Sequence, residues 1–159
     1  MAFTIRPARA DDAHSIGTLA KRFAEYLRNL GDTTDFKLTA ETYLRDGFSS
    51  QPAFAGLVVE EGGNVFGYLL YHFGYDSDAA ARVLFVADLY VDSNARRQGA
   101  GRALVKAAAR IAREAGAREL IWSVYQANEL AAMFYEKLGA QRITDVFFMK
   151  LPADEQGRE

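Results

Sequence analysis

Apolar residues between Asp12 and Leu30 recur at three- and four-residue steps: Ile16, Leu19, Ala20, Phe23, Tyr26, Leu27 and Leu30. That period puts them on one helical face. Asp11 or Asp12 is the expected N-cap, and Gly31-Asp32 the stop. Phe3 to Arg6 alternates instead and halts at Pro7, which predicts a short strand. Thr39 opens a second short helix that runs to about Arg45 and ends at Gly47. Strands are then expected from about Ala53 to Glu60, from Val65 to Tyr75 and from Val83 to Val91, the first two joined by a hairpin turn at Gly62-Gly63-Asn64. A third helix begins near Gly101, presents Leu104, Ala108, Ile111 and Ala115 on one face, and stops at Gly116. The strand Glu119–Tyr125, a helix from Asn128 to Leu138 closed by Gly139, and β-prone pieces at Arg142-Ile143 and Val146–Leu151 complete the pattern. Strands dominate the first half and alternate with helices in the second. The predicted class is α/β (α+β): a mixed sheet of about six to seven strands with about four helices.

The 159 residues suit one domain, 1–151, with a polar tail at 152–159. Net charge is −2 and the isoelectric point is near 5.7. Nucleic-acid binders are usually basic, so that partner is not expected. The N-terminus carries no signal-peptide pattern. The longest stretch without Asp, Glu, Lys or Arg, Gly62 to Tyr75, is about 14 residues and holds four glycines, too short and too broken to span a bilayer. A cytoplasmic chain with no membrane partner is the expectation. Cysteine is absent, which excludes a thiol nucleophile and thiolate metal ligands. His14 and His72 lie far apart in sequence, so no metal site is expected.

The chemistry-bearing stretch is Val91 to Leu104: a strand, a polar loop, Arg96-Arg97-Gln98-Gly99-Ala100-Gly101, and a helix. A helix start offers unpaired N–H groups and the positive end of a dipole, so it can hold phosphate. Gly99 and Gly101 lack Cβ and let an anion approach the backbone. Arg96, Arg97 and Arg102 add positive charge. A Walker loop would need Lys-Ser/Thr where Arg102-Ala103 stands, and a dinucleotide fingerprint would need glycine at Leu104. Taken alone, the loop fits an ordinary helix start equally well. Asn128 and Tyr135 lie seven residues apart, nearly two turns, and so share a helix face about 10 Å apart. Tyr135 alone also reads as a core-edge residue.

Together these pieces resemble the GNAT N-acetyltransferase family. The strand Val-Ala-Asp-Leu-Tyr-Val runs into Arg96-x-x-Gly99-x-Gly101, Asn128 and Tyr135 follow in Asn-Glu-Leu-Ala-Ala-Met-Phe-Tyr, and Ile5-Arg6-Pro7-Ala8 precedes the first helix. Leu44–Phe48, Pro52, Leu57–Glu60 and Tyr71–Asp76 resemble the diamine (spermidine/spermine and thialysine) acetyltransferase branch. The resemblance implies acetyl-CoA as co-substrate. Backbone groups of Leu89, Tyr90 and Val91 would pair with the pantetheine arm and acetyl carbonyl. Residues Arg97, Gln98, Gly99, Ala100, Gly101 and Arg102, with Arg96 beside them, would hold the pyrophosphate. Asn128 would contact the cofactor, and Tyr135 would protonate the leaving sulfur. Tyr26 and Asp88 would face the acceptor, and a homodimer is implied.

Two positions depart from the diamine pattern. Ala87 stands where a glutamate precedes the Asp-aromatic run, and Leu27 where an acid follows Tyr26. Both acids would bind a polyamine cation. The expected reaction is direct acetyl transfer to a small primary amine: a diamine, a lysine-like amino acid or a related metabolite. The competing readings are an acetyl-CoA sensor without turnover and an acetyltransferase for protein amines. Asp88 is a candidate carboxylate, but strand alternation puts it opposite Ala87 unless a bulge intervenes. The general base is left unassigned at this level.

Overall fold

A computed structural model describes residues 2–96 and 98–156. The described elements are β1 (Thr4–Pro7), α1 (Ala13–Asn29), α2 (Ala40–Gly47), β2 (Ala55–Glu61), β3 (Asn64–Asp76), β4 (Ala81–Val91), α3 (Ala100–Glu114), β5 (Ala117–Ile121), α4 (Glu129–Lys137) and the four-residue α5 (Ala153–Gln156). The chain divides into two compact units, one up to Glu129 and one from Leu130 onward.

In the first unit the strands form one five-stranded sheet in chain order. β1 through β4 are antiparallel neighbours, and β5 joins β4 in parallel. The β2–β3 hairpin turns on Gly62 and Gly63, both at positive φ (57° and 81°), a backbone that glycine adopts without strain. α3 covers one face of the sheet. Its Ala100, Leu104, Ala108 and Ala112 meet Leu57, Val59, Leu69, Leu84, Val86 and Val91. α1 and α2 cover the other face, where Ala13, Ile16, Leu19, Ala20 and Tyr43 meet Val58, Tyr68, Leu70 and Tyr90.

Asp12 departs from its expected capping role. It stands at the N-cap position of α1, but its carboxylate makes no cap bond to that helix. It turns back to accept the Arg9 N–H at 2.7 Å and a bidentate pair from Arg6 at 2.8 and 2.9 Å. Arg6 also reaches Glu60 at 3.1 Å, so β1, β2 and the start of α1 share one ion cluster. Thr39 caps α2 as expected, its hydroxyl accepting the Thr42 N–H.

In the second unit, α4 ends at Lys137, and Gly139 follows at φ 99°, a backbone that favours glycine. The expectation of six to seven strands is corrected here: among the described residues Arg142-Ile143 and Val146–Leu151 form no strand. Val146, Phe147, Phe148, Met149 and Leu151 are all exposed. β5 also starts two residues earlier than expected and ends at Ile121, four residues before Tyr125.

Candidate active site

The site is built on β4. β5 pairs with β4 only from Arg82 to Phe85. From Val86 to Val91 that edge of β4 has no strand partner among the described residues. Successive N–H and C=O groups there stand ready to pair with an extended ligand, as a peptide adds to a sheet edge. Leu89, Tyr90 and Val91 lie on this open edge.

A bulge sits in the same stretch. Leu70 of β3 faces Asp88, yet Tyr71 faces Val86, so Ala87 is the extra residue. Simple alternation would place residues 84, 86, 88 and 90 on one face. The bulge switches the phase. Leu84 and Val86 pack toward α3, and so do Leu89 and Val91, while Tyr90 packs toward α1 and α2. Asp88 goes with Tyr90. Its Oδ2 accepts a 2.9 Å hydrogen bond from Tyr68 Oη, a fully buried hydroxyl on the α1/α2 face. Burial pushes the Asp88 carboxyl up to about 6, against the Tyr68 hydrogen bond, which lowers it. Burial also raises the Tyr68 phenol, and the adjacent Asp88 charge adds to the effect.

After Val91 the chain enters a 3-10 turn at Ser93–Ala95 and reaches α3 through Gly99, at φ 84°. A side chain at that φ would be strained, although nothing lies within 4 Å of where its Cβ would stand. The first helical bond runs from Ala103 N–H to the Gly99 carbonyl at 3.0 Å. The N–H groups of Ala100, Gly101 and Arg102 therefore have no acceptor within the helix. Ala100 is buried in the α3 core and offers a ligand only its backbone. Gln98 is half-buried and Arg102 exposed. Arg97 lies outside the described residues.

Arg96 occupies a place the sequence did not suggest. Its Nε donates to the Val91 carbonyl at 3.0 Å. Its guanidinium lies over the Tyr26 and Tyr90 rings, 4.8 and 5.4 Å from their centroids. Tyr26, from α1, donates its hydroxyl to Asn128 Oδ1 at 2.9 Å. Asn128 is buried, immediately ahead of α4. Tyr26, Tyr90, Val91, Arg96 and Asn128 thus form one connected group, in which residues 26 and 128 meet directly. Arg22 and Asp92 form an ion pair beside it, and together with Glu25 these residues line a polar cleft of about 440 Å³. In the second unit, Tyr135 sits in the last turns of α4. Its ring stands edge-to-face with Phe134 at 5.2 Å, and its carbonyl accepts the Leu138 and Ala140 N–H groups.

Sequence reasoning missed Tyr68 and the Arg22–Asp92 pair. The available signal for Tyr68 was an acid, Asp88, inside a nearly continuous apolar strand. Such a residue needs a buried partner, and its neighbouring strand must supply one.

Among the described residues no helix is long and apolar enough to cross a membrane, and no group of three or more His, Cys, Asp or Glu could hold a metal ion.

The model of the acetyltransferase (GNAT) family matches residues 18–140, and the chain belongs to that family. It is an acetyl-CoA-dependent N-acetyltransferase. The chain is 35% identical over 154 residues to thialysine N-epsilon-acetyltransferase of Bos taurus, covering 91% of this chain and 88% of that protein. It is 32% identical over 149 residues to the Mus musculus protein of the same name, covering 89% and 85%. A possible acetyltransferase from Clostridium difficile 630 superposes with a TM-score of 0.79 at 18% identity, covering 96% of this chain and 99% of that one, a likeness of fold.

Proposed function

We propose that this N-acetyltransferase acts on a small primary amine of the lysine-like or diamine type, by direct transfer from acetyl-CoA. The observation that carries the reading is the open β4 edge leading without interruption into the Gly99 loop and α3. One ligand can lie along both, its amide-bearing arm on Leu89–Val91 and its pyrophosphate on the N–H groups of Gln98–Arg102. Arg102 supplies charge there, and Asn128 borders the arm. The likeness to thialysine acetyltransferases supports a small amine as acceptor. So do the non-acidic Ala87 and Leu27, which leave Asp88 as the carboxylate of this stretch of β4, where a polyamine would call for more. A cytoplasmic homodimer completes the reading.

The chemistry sets two demands. An alkylammonium of pKa ~10.4 is neutral about once in 2,500 at pH 7, so reaching the nucleophilic form costs about 4.6 kcal/mol. At the other end, CoA departs as a thiolate. The thiolate of a thiol with pKa ~8.5 is a weaker base than the phenolate of a tyrosine with pKa ~10, and burial narrows the gap by raising the thiol. Tyr135 serves as the donor to that sulfur. No cysteine is present to carry the acetyl group, so amine and thioester meet in one ternary complex.

The test is CoA release measured across a panel of amines: lysine analogues, diamines, polyamines, an aminoglycoside and a peptide N-terminus. Turnover is expected with the first two classes. Acetyl-CoA binding with no CoA release on any amine overturns the reading in favour of a sensor. Tyr135→Phe is expected to lower kcat by ~10-fold or more with acetyl-CoA affinity nearly unchanged. An unaltered kcat removes Tyr135 from the reaction.

A further inference from the structure

Arg22, Glu25, Tyr26 and Asn29 recur along α1 at steps of three and four, and that helix face lines the polar cleft of about 440 Å³ together with Tyr90, Asp92 and Arg96. Tyr90 packs toward α1 and α2, so the cleft lies on that side of β4, whereas the donor's arm is assigned to the strand's edge. A second molecule can therefore occupy the cleft while the donor is bound. The distance suits a short one. Leu89 to Asp92 is a step of three residues, roughly 10 Å of extended chain. An extended lysine spans about 8 Å from its side-chain nitrogen to its carboxylate.

The cleft carries charges of both signs, and they are not all spent on each other. Arg22 and Asp92 form an ion pair. Among the described residues neither Glu25 nor Arg96 enters one. Arg96 is nonetheless fixed: its Nε donates to the Val91 carbonyl at 3.0 Å, and its guanidinium carbon stands over the rings of Tyr26 and Tyr90. The Val91 carbonyl takes one of its donors and the Tyr90 hydroxyl another, which leaves N–H groups for an anion. A guanidinium held this way binds a carboxylate with little further loss of side-chain freedom. Glu25, exposed on α1, is an acid available to a cation.

We infer that this cleft holds the zwitterionic head of the acceptor, its carboxylate on Arg96 and its α-ammonium on Glu25, so that the acceptor is a lysine-like amino acid and not a diamine. The inference rests on the proposed transfer to a small amine and narrows it. A diamine is cationic at both ends, and its far end would meet two arginines with no anion to offer them. An amino acid brings one charge of each sign to a cleft that has one of each to spare. With the head held there, the side-chain nitrogen bonds to the acetyl carbon as the carbon–sulfur bond breaks. Ammonium and thioester give amide, thiol and one proton.

The experiment measures kcat/KM for CoA release by the whole chain with L-lysine, L-lysinamide, 6-aminohexanoate and 1,5-diaminopentane. The second lacks the carboxylate charge, the third lacks the α-amine, and the fourth lacks the carboxylate altogether. All four use the same donor, so any effect of a substitution on acetyl-CoA binding cancels in their ratios. Wild type is expected to favour lysine over each of the others by about 10- to 100-fold, the range for a charge-assisted hydrogen bond, with the loss in KM. Arg96→Gln is expected to bring lysine and lysinamide within about threefold of each other while lysine stays ahead of 6-aminohexanoate. Glu25→Gln, a change at an exposed helix position, is expected to do the opposite: lysine falls to the level of 6-aminohexanoate and stays ahead of lysinamide. A folding defect would lower all four acceptors alike. A wild-type chain that uses lysinamide or 1,5-diaminopentane as well as lysine, or variants that leave the ratios where they were, overturns the inference while leaving transfer to a small amine intact. A wild-type chain that releases CoA with none of the four overturns both.

Discussion

The two faces of the sheet are built from different materials. Under α3 the buried residues are Leu57, Val59, Phe66, Leu69, Leu84, Val86, Val91 and the small and branched residues of the helix, all without polar side-chain atoms. Under α1 and α2 the layer contains three buried tyrosines, Tyr43, Tyr68 and Tyr90, and borders Asp12 and Asp88. Hydrogen bonds from these groups tie separate parts of the chain together: Tyr43 Oη donates to the Arg9 carbonyl at 2.8 Å, Tyr68 to Asp88, and Arg6 to Asp12. One face therefore supplies burial energy, and the other supplies directed groups at fixed positions. The open edge of β4 runs between them, so a ligand on it meets a rigid apolar wall on one side and protonatable groups on the other.

This contrast can be broken by substitution. The largest expected effect is on the aliphatic face: Leu104 is fully buried, and Leu104→Ala should cost about 2–5 kcal/mol of stability. Urea unfolding measures it, and kcat per folded molecule should hold within twofold; a large kcat loss would erase the division of labour. Next is Asp12→Asn. Burial would raise the Asp12 carboxyl, but the Arg6 hydrogen bonds and the Arg9 N–H outweigh it and hold the group below its ordinary 3.8. A depressed native pKa contributes stability that is present above pH 3.8 and fades as pH falls through the native value. The variant should thus lose about 1.5–3 kcal/mol at pH 7 and converge on wild type in acid. A deficit independent of pH would assign the loss to packing instead. The smallest effect is expected from Tyr26→Phe, which removes one hydrogen bond to Asn128, about 0.5–1.5 kcal/mol. Its readout is a raised KM for acetyl-CoA with near-normal thermal stability. The reverse outcome would make that bond purely structural.

Much of this was legible in the residues. The three-and-four periodicity of α1 and α3, the glycines at 31, 116 and 139 and the Gly62-Gly63 turn located elements because each is a local rule obeyed locally. The Gly99 loop and Asn128 could be found because their spacing is short-range. Three things could not. The bulge at Ala87 depends on how two strands fall into register, and no single-strand pattern encodes that. The Tyr26–Asn128 bond joins residues 102 positions apart. Val146–Leu151 has the composition of a strand, yet composition specifies a preference for pleated backbone and says nothing of a partner. Asp12 fails differently: the right residue stands at the cap position, and Arg6 outcompetes the helix for its oxygens.

The unpaired stretch of β4 has a consequence for handling the protein. Bare strand edges are adhesive and recruit any extended chain. The Arg96 Nε–H already occupies the Val91 acceptor, acting as a small stopper at the end of that edge. If the thioester donor lies there as proposed, it competes with the stopper and covers the remainder, so preparations stored with the donor added should resist clumping on standing longer than preparations stored without it.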